Sequence, residues 1–213
     1  MVDCIRFINT WFTSNSYILS HNNFDNVWLV DPGDIQPIID WLQRKKKKTV
    51  SGILLTHSHF DHIYGINDVL HRFPQCIVYT ANEYGRELLF DAKKNSSHYS
   101  EMGPVVINNN ALIQFFETEL ILWTGVSMLI YYTPGHSDDS VCLSLENKLL
   151  TGDTLIKDLR TVTKVKGGSV EKLEKSIRFI ESLKGRGVVV MPGHNEPFPL
   201  DNYDLSKATT KSI

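Results

Sequence analysis

The chain has 213 residues, 22 of them Lys or Arg and 24 Asp or Glu, for a formal charge of −2 at neutral pH. At 42% hydrophobic and 22% charged residues it falls in the ordinary globular range, which argues against long disorder, and its near-neutrality gives no electrostatic ground for nucleic-acid binding. The three cysteines, Cys4, Cys76 and Cys142, are odd in number and far apart, so neither a disulfide framework nor a cysteine-rich zinc ribbon is expected.

The N-terminal Met1–Arg6 carries an early acid and no apolar run, unlike a signal peptide. Val27–Val30 reads as a strand ended by Asp31-Pro32-Gly33. Ile35–Arg44 reads as a helix with Ile38, Ile39 and Leu42 on one face. The basic run that follows, Arg44 to Lys48, is read as a solvated loop at a helix end. Ile53–Leu55 is a second strand, Ile63–Phe73 a helix stopped before Pro74, Cys76–Tyr79 a third strand and Glu83–Phe90 a further helix. This β-α alternation argues for stacked α and β layers.

Residues 91–104 are polar and read as a long surface excursion, with His98 and Tyr99 as candidate substrate contacts. Beyond it the pattern becomes β-rich: Ala111–Phe116, Glu119–Trp123, Ser127–Thr133, Val141–Leu145 and Lys148–Thr151, with a tight turn at Glu146-Asn147. Ser169 is placed to cap a helix whose apolar stripe is Val170, Leu173, Ile177, Ile180 and Leu183. Val188–Val190 is the last strand, and the tail after Leu200 is expected to fray. One domain over 1–213 is expected. No stretch nears the roughly 18 uninterrupted apolar residues of a membrane span. The whole suggests a cytoplasmic protein with a small-molecule substrate, no nucleic-acid or membrane partner, and a monomeric or homodimeric state.

The histidines are more informative. Four metal-binding side chains stand in one segment, His57-Ser58-His59-Phe60-Asp61-His62. With 8 histidines in 213 residues, three His and one Asp in this order arise by accident in roughly one such chain in a thousand. Histidines two apart in an extended loop can turn both imidazoles to one side and bind one metal. Asp61 and His62, where the chain enters a helix, can address a second. Imidazole with carboxylate suits zinc, iron or manganese. Three further candidates follow apolar runs, each behind a glycine: His136 in Pro134-Gly135-His136, Asp153 in Gly152-Asp153 and His194 in Pro192-Gly193-His194. Strand ends along one sheet edge are where α/β folds collect ligands, and a glycine lets the backbone turn sharply there.

With these motifs the chain resembles the metallo-β-lactamase fold superfamily, and within it the short glyoxalase II-like hydrolases. The resemblance implies an α/β fold, an αββα four-layer sandwich. It implies two divalent metal ions, zinc first, with iron or manganese as alternatives. His57, His59 and His136 would hold one ion, Asp61, His62 and His194 the other, and Asp153 would bridge them. Asp61 would also orient the attacking hydroxide, and Asp31 would support the ligands from behind. The bridging Asp153 with His62, and no ligand cysteine, argues against β-lactam hydrolysis. The implied activity is hydrolysis of a thioester or ester. Only 19 residues follow His194, so the C-terminal part that recognises glutathione in glyoxalase II is expected to be missing or replaced. Leu159-Arg160 and Gly167-Gly168-Ser169 add a weaker likeness to the short group. The alternatives are a lactone or phosphodiester hydrolase on the same site, and a mononuclear iron persulfide dioxygenase using His57, His136 and Asp153.

Overall fold

The computed structural model describes residues 1–209. The chain divides into two compact units, Met1–Phe116 and the segment from Glu117 onward. Each is built on one six-stranded sheet.

The first sheet runs in the order β1 (Val2–Ile8), β2 (Asn15–His21), β3 (Asn26–Val30), β4 (Thr49–Leu54), β5 (Ile77–Thr80) and β6 (Leu112–Phe115). β1, β2 and β3 form an antiparallel meander, and β3 through β6 are parallel. Parallel neighbours need crossovers, and these carry the helices: α1 (Ile35–Arg44), α2 (Phe60–Ile63), α3 (Ile66–Arg72) and α4 (Glu83–Phe90). Ile38, Trp41 and Leu42 of α1 and Val69 and Leu70 of α3 share one core with Val27, Leu29, Ile53 and Val78 of the strands. Helix cover explains why β3 reads as an unbroken apolar run.

Three expectations are corrected in this unit. β1 and β2 lie where no strand is expected from the sequence. The helix expected over 63–73 is two helices, parted at Tyr64-Gly65. A Cβ on Gly65 would come 2.0 Å from the Gly33 carbonyl oxygen, and the Gly65 N–H donates to the Pro32 carbonyl at 3.0 Å, so the chain bends there against the Asp31-Pro32-Gly33 turn. The basic run is not all solvated. Lys47 Nζ donates to the carbonyls of His21 and Phe24, at 2.9 and 2.5 Å, and clasps that turn.

In the second unit β7 (Glu119–Trp123), β8 (Val126–Tyr132), β9 (Val141–Leu145) and β10 (Lys148–Gly152) form an antiparallel meander. The helix α5 (Val170–Glu181) crosses to β11 (Val189–Pro192), parallel to β10, and β12 (Phe198–Pro199) pairs with β11 antiparallel. Ser169 caps α5 as expected, accepting from the Lys172 N–H. Leu173, Ile177, Ile180 and Leu183 form the core stripe with Cys142, Leu149 and Val190. Val170, at the first helical position, is exposed. The tail is ordered through α6 (Ser206–Thr209), with Leu205 and Ala208 buried in the same core, so its expected fraying does not hold over the described residues. The two sheets with their helices bear out a mixed α/β fold class.

Candidate metal centre

In the first unit the ligand candidates gather at the carboxyl ends of the parallel strands β3 and β4. Asp31 follows β3 directly and is buried at 2% exposure. Its backbone is left-handed, with φ 47°, a conformation a non-glycine residue keeps only where its surroundings enforce it. Its carboxylate receives three hydrogen bonds. The Thr56 N–H donates to Oδ1 at 2.8 Å, the Thr56 hydroxyl to Oδ2 at 2.5 Å, and His62 Nδ1 lies 3.1 Å from Oδ2.

This pairing has chemical consequences. With Nδ1–H donating to Asp31, His62 keeps its Nε2 lone pair for another partner. Because the Thr56 hydroxyl gives its proton to Asp31, its oxygen can accept from His57 Nδ1, 3.3 Å away. That leaves Nε2 of His57 as a ligand atom too. The His57 ring centroid lies 4.8 Å from that of His59 and 4.3 Å from that of His62. All three imidazoles are buried. Three close buried rings cannot all be cations without severe repulsion and desolvation. Neutral rings with lone pairs converging are the state a metal ion prefers. Asp61 lies beside them, its Oδ2 3.6 Å from His62 Nε2.

In the second unit the remaining three candidates cluster around one carboxylate. His136 follows β8, Asp153 follows β10 and His194 follows β11. Asp153 Oδ2 lies 3.7 Å from His136 Nε2 and 3.5 Å from His194 Nε2. A β-bulge shifts the β10–β11 register between Leu150 and Gly152. With Gly152 at φ 48° it re-aims the chain just before Asp153. Gly135, before His136, sits at φ 145°, and a Cβ there would come 2.4 Å from the Leu173 backbone nitrogen. Gly193, the third of these glycines, is not left-handed. His136 Nδ1 donates to the Val162 carbonyl at 2.7 Å, which frees Nε2 toward Asp153. These residues form His/Asp groups suited to metal binding.

A family model described as the metallo-beta-lactamase superfamily matches residues 9–194. The chain belongs to the metallo-beta-lactamase superfamily. Within that superfamily it is similar to the hydroxyacylglutathione hydrolase of Pseudoalteromonas translucida, 30% identical over 145 residues, which are 67% of this chain and 47% of that protein. It is 29% identical over 203 residues to the hydroxyacylglutathione hydrolase of Francisella philomiragia, covering 92% of this chain and 68% of that one. The chain thus spans about half to two thirds of the length of the curated relatives it matches. Among solved structures it resembles the BLEG-1 B3 metallo-beta-lactamase, at 29% identity and a TM-score of 0.83 over 93% of this chain and 94% of that one.

Several supporting groups are not legible in the sequence. The Thr56 hydroxyl and the Val162 carbonyl orient the candidate ligands His57 and His136, and Ser14 Oγ donates to the Asp61 carbonyl at 2.7 Å. Nothing in a lone Ser or Val signals such a part. The loop 91–104 is organised by buried Asn95, whose Nδ2 donates to the carbonyls of Leu88 and Val105, both at 2.8 Å. The Asn95 carbonyl accepts from the Phe60 N–H at 3.2 Å, so the loop holds the start of α2. His98 and Tyr99 are both exposed, ring to ring at 5.1 Å. Among the described residues no helix is long and apolar enough to cross a membrane.

Proposed function

We propose that the chain is a metal-dependent hydrolase acting on the thioester or ester of a small molecule. On this reading His57, His59 and His136 would hold one divalent ion, Asp61, His62 and His194 would hold a second, and Asp153 would serve both. The observation that carries it is the state of the donors. His62 and His136 each spend Nδ1–H on a fixed oxygen, and His57 on Thr56 Oγ, so each directs a neutral Nε2 outward. Buried imidazole and carboxylate favour zinc, with iron or manganese also accommodated.

Bound there, divalent ions would supply Lewis acidity and bring the pKa of a coordinated water down toward neutrality. The chain's own residues do the rest. Asp61 accepts a hydrogen bond from the attacking water and orients it. Asp31 accepts from His62 and Thr56, which holds both imidazoles in the required tautomer. No serine or cysteine nucleophile is needed, so no acyl-enzyme forms. The second unit carries an open cleft of about 550 Å³ lined by Arg160, Val162, Lys164, Ser169 and Val170. Its wall includes the residue that orients His136, and its basic rim suits a substrate with an anionic arm.

The test is a panel of thioesters, esters, lactones, a phosphodiester, a β-lactam and a persulfide with oxygen uptake, run on protein of measured metal content. Thioester or ester turnover that is lost on chelation and restored by zinc, iron or manganese is the expected result. Asp153→Asn should lower that turnover at least 100-fold, since a neutral amide bridges two cations poorly. Turnover unaffected by chelator, or near-normal rates in Asp153→Asn, would defeat the proposal. Oxygen-consuming persulfide turnover with one iron per chain would replace it.

A further inference from the structure

Behind the candidate ligands of the first unit lies a buried polar hub centred on Asn9, which follows β1 directly and is 2% exposed. Its Oδ1 accepts from the Asp34 N–H at 3.0 Å. Its Nδ2 reaches Ser14 Oγ and Ser16 Oγ, both at 3.0 Å.

The two serines pass the connection on. Ser14 Oγ donates to the Asp61 carbonyl at 2.7 Å. Ser16 Oγ donates to the Asp31 carbonyl at 2.7 Å and accepts from the Gly33 N–H at 2.8 Å. Ser16 Oγ also lies 3.1 Å from Asn9 Oδ1, a longer contact than its 2.7 Å to the Asp31 carbonyl. With each hydroxyl's hydrogen on the nearer carbonyl, both hydroxyls accept from Asn9, and the amide uses both N–H groups to satisfy them. The fit is also steric, since a Cβ on Gly33 would lie 2.4 Å from Asn9 Cγ. The chain between the two ends of the hub passes through Phe12 and Thr13, at φ 57° and 51°. Two successive left-handed non-glycine residues persist only where the flanks are fixed.

One branch runs through Ser14 to the backbone of Asp61. The other runs through Ser16 to the backbone of Asp31, whose carboxylate meets His62 directly and His57 only through the Thr56 hydroxyl. The direct contacts of the hub thus fall on Asp61 and His62, while His57 is one side chain further off and His59 sits on the continuation of β4. We propose that Asn9 is a positioning residue for the Asp61–His62 pair, setting the affinity of the ion those two hold and leaving the other ion largely unaffected. This rests on the dinuclear reading above.

The experiment is a zinc titration of metal-free protein against a chromophoric chelator, with circular dichroism of each metal-free form. Wild type is compared with Asn9→Asp, which keeps the shape and the acceptor but loses the donors, and with Ser14→Ala, which cuts only the branch to Asp61. Both variants should fold and bind one zinc as wild type does, and bind the second 10- to 100-fold more weakly. Ser14→Thr, which retains the hydroxyl, should restore the second site at least in part. Wild-type affinity for both ions in the two variants overturns the inference alone. So does equal weakening of both ions, or loss of fold in both variants, since either assigns the hub to the general scaffold. A wild-type chain that binds fewer than two zinc ions overturns the dinuclear reading and the inference together.

Discussion

Asp31 shows how one side chain can orient several candidate metal ligands at once. Its carboxylate takes the Thr56 N–H, the Thr56 hydroxyl and His62 Nδ1, and through Thr56 it reaches His57. Asp31→Asn is the informative substitution. Asparagine tolerates the left-handed backbone, so the change removes charge and acceptor capacity while sparing the turn. The expected outcome is a 10- to 100-fold loss of zinc affinity, read by chelator competition, with the circular dichroism spectrum retained. The sequence points to Asp31 only through the resemblance to the family, whose pattern it matches. It could not point to Asn9, Ser14 or Ser16, because small polar residues are common in loops, and only their burial distinguishes these three.

At the scale of elements, legibility followed the hydrophobic pattern. Most strands from β3 to β11 are readable because their apolar runs are buried on at least one face, and β6, with Leu112 and Phe115 exposed, is readable from its apolar composition alone. β2 is not, because Asn15, Ser16 and Ser20 occupy buried positions that a pattern reading assigns to loop. Ser16 can be buried there since its hydroxyl is satisfied internally. The break between α2 and α3 was hidden for a different reason. Gly65 is a lone glycine in a helical pattern, and its role is set by a contact with Gly33, far away in sequence. That contact predicts an asymmetry among glycines. Gly65→Ala drives a Cβ into rigid backbone 2.0 Å away and should cost about 3 kcal/mol in urea denaturation. Gly125→Ala places its Cβ in open space at φ 78° and should cost only about 1 kcal/mol. Equal losses at the two positions would show that the close approach is not what requires glycine at 65.

At the scale of the whole molecule, the buried protonated groups set a limit on the alkaline side. Burial pushes the Cys76 thiol from its ordinary 9.0 up to about 12. Burial does the same for Cys142, to about 12, although the Thr133 hydroxyl works against it. Burial also raises the Tyr17 and Tyr64 hydroxyls, the latter aided by its hydrogen bond to Asp34. All four hold their protons more tightly folded than unfolded. Their contribution is therefore complete below about pH 9 and is lost as pH rises toward 12. Urea midpoints should be flat up to pH 9 and fall steeply above it. Cys142→Ala should shallow that fall, and an unchanged slope in that variant would remove the buried thiol from the explanation. At pH 8, Cys76 and Cys142 should react with maleimide only on unfolding, because both are buried and protonated.

The bond from His136 to residue 162 has a consequence for how the protein can vary. The acceptor is a peptide oxygen, which every amino acid possesses, while the valine side chain itself is 55% exposed. Position 162 is therefore divided between two tasks. The course of the main chain is constrained, whereas the side-chain identity is open to exchange. A family of enzymes could retune what it accepts at this spot, one substitution at a time, with the histidine behind it undisturbed.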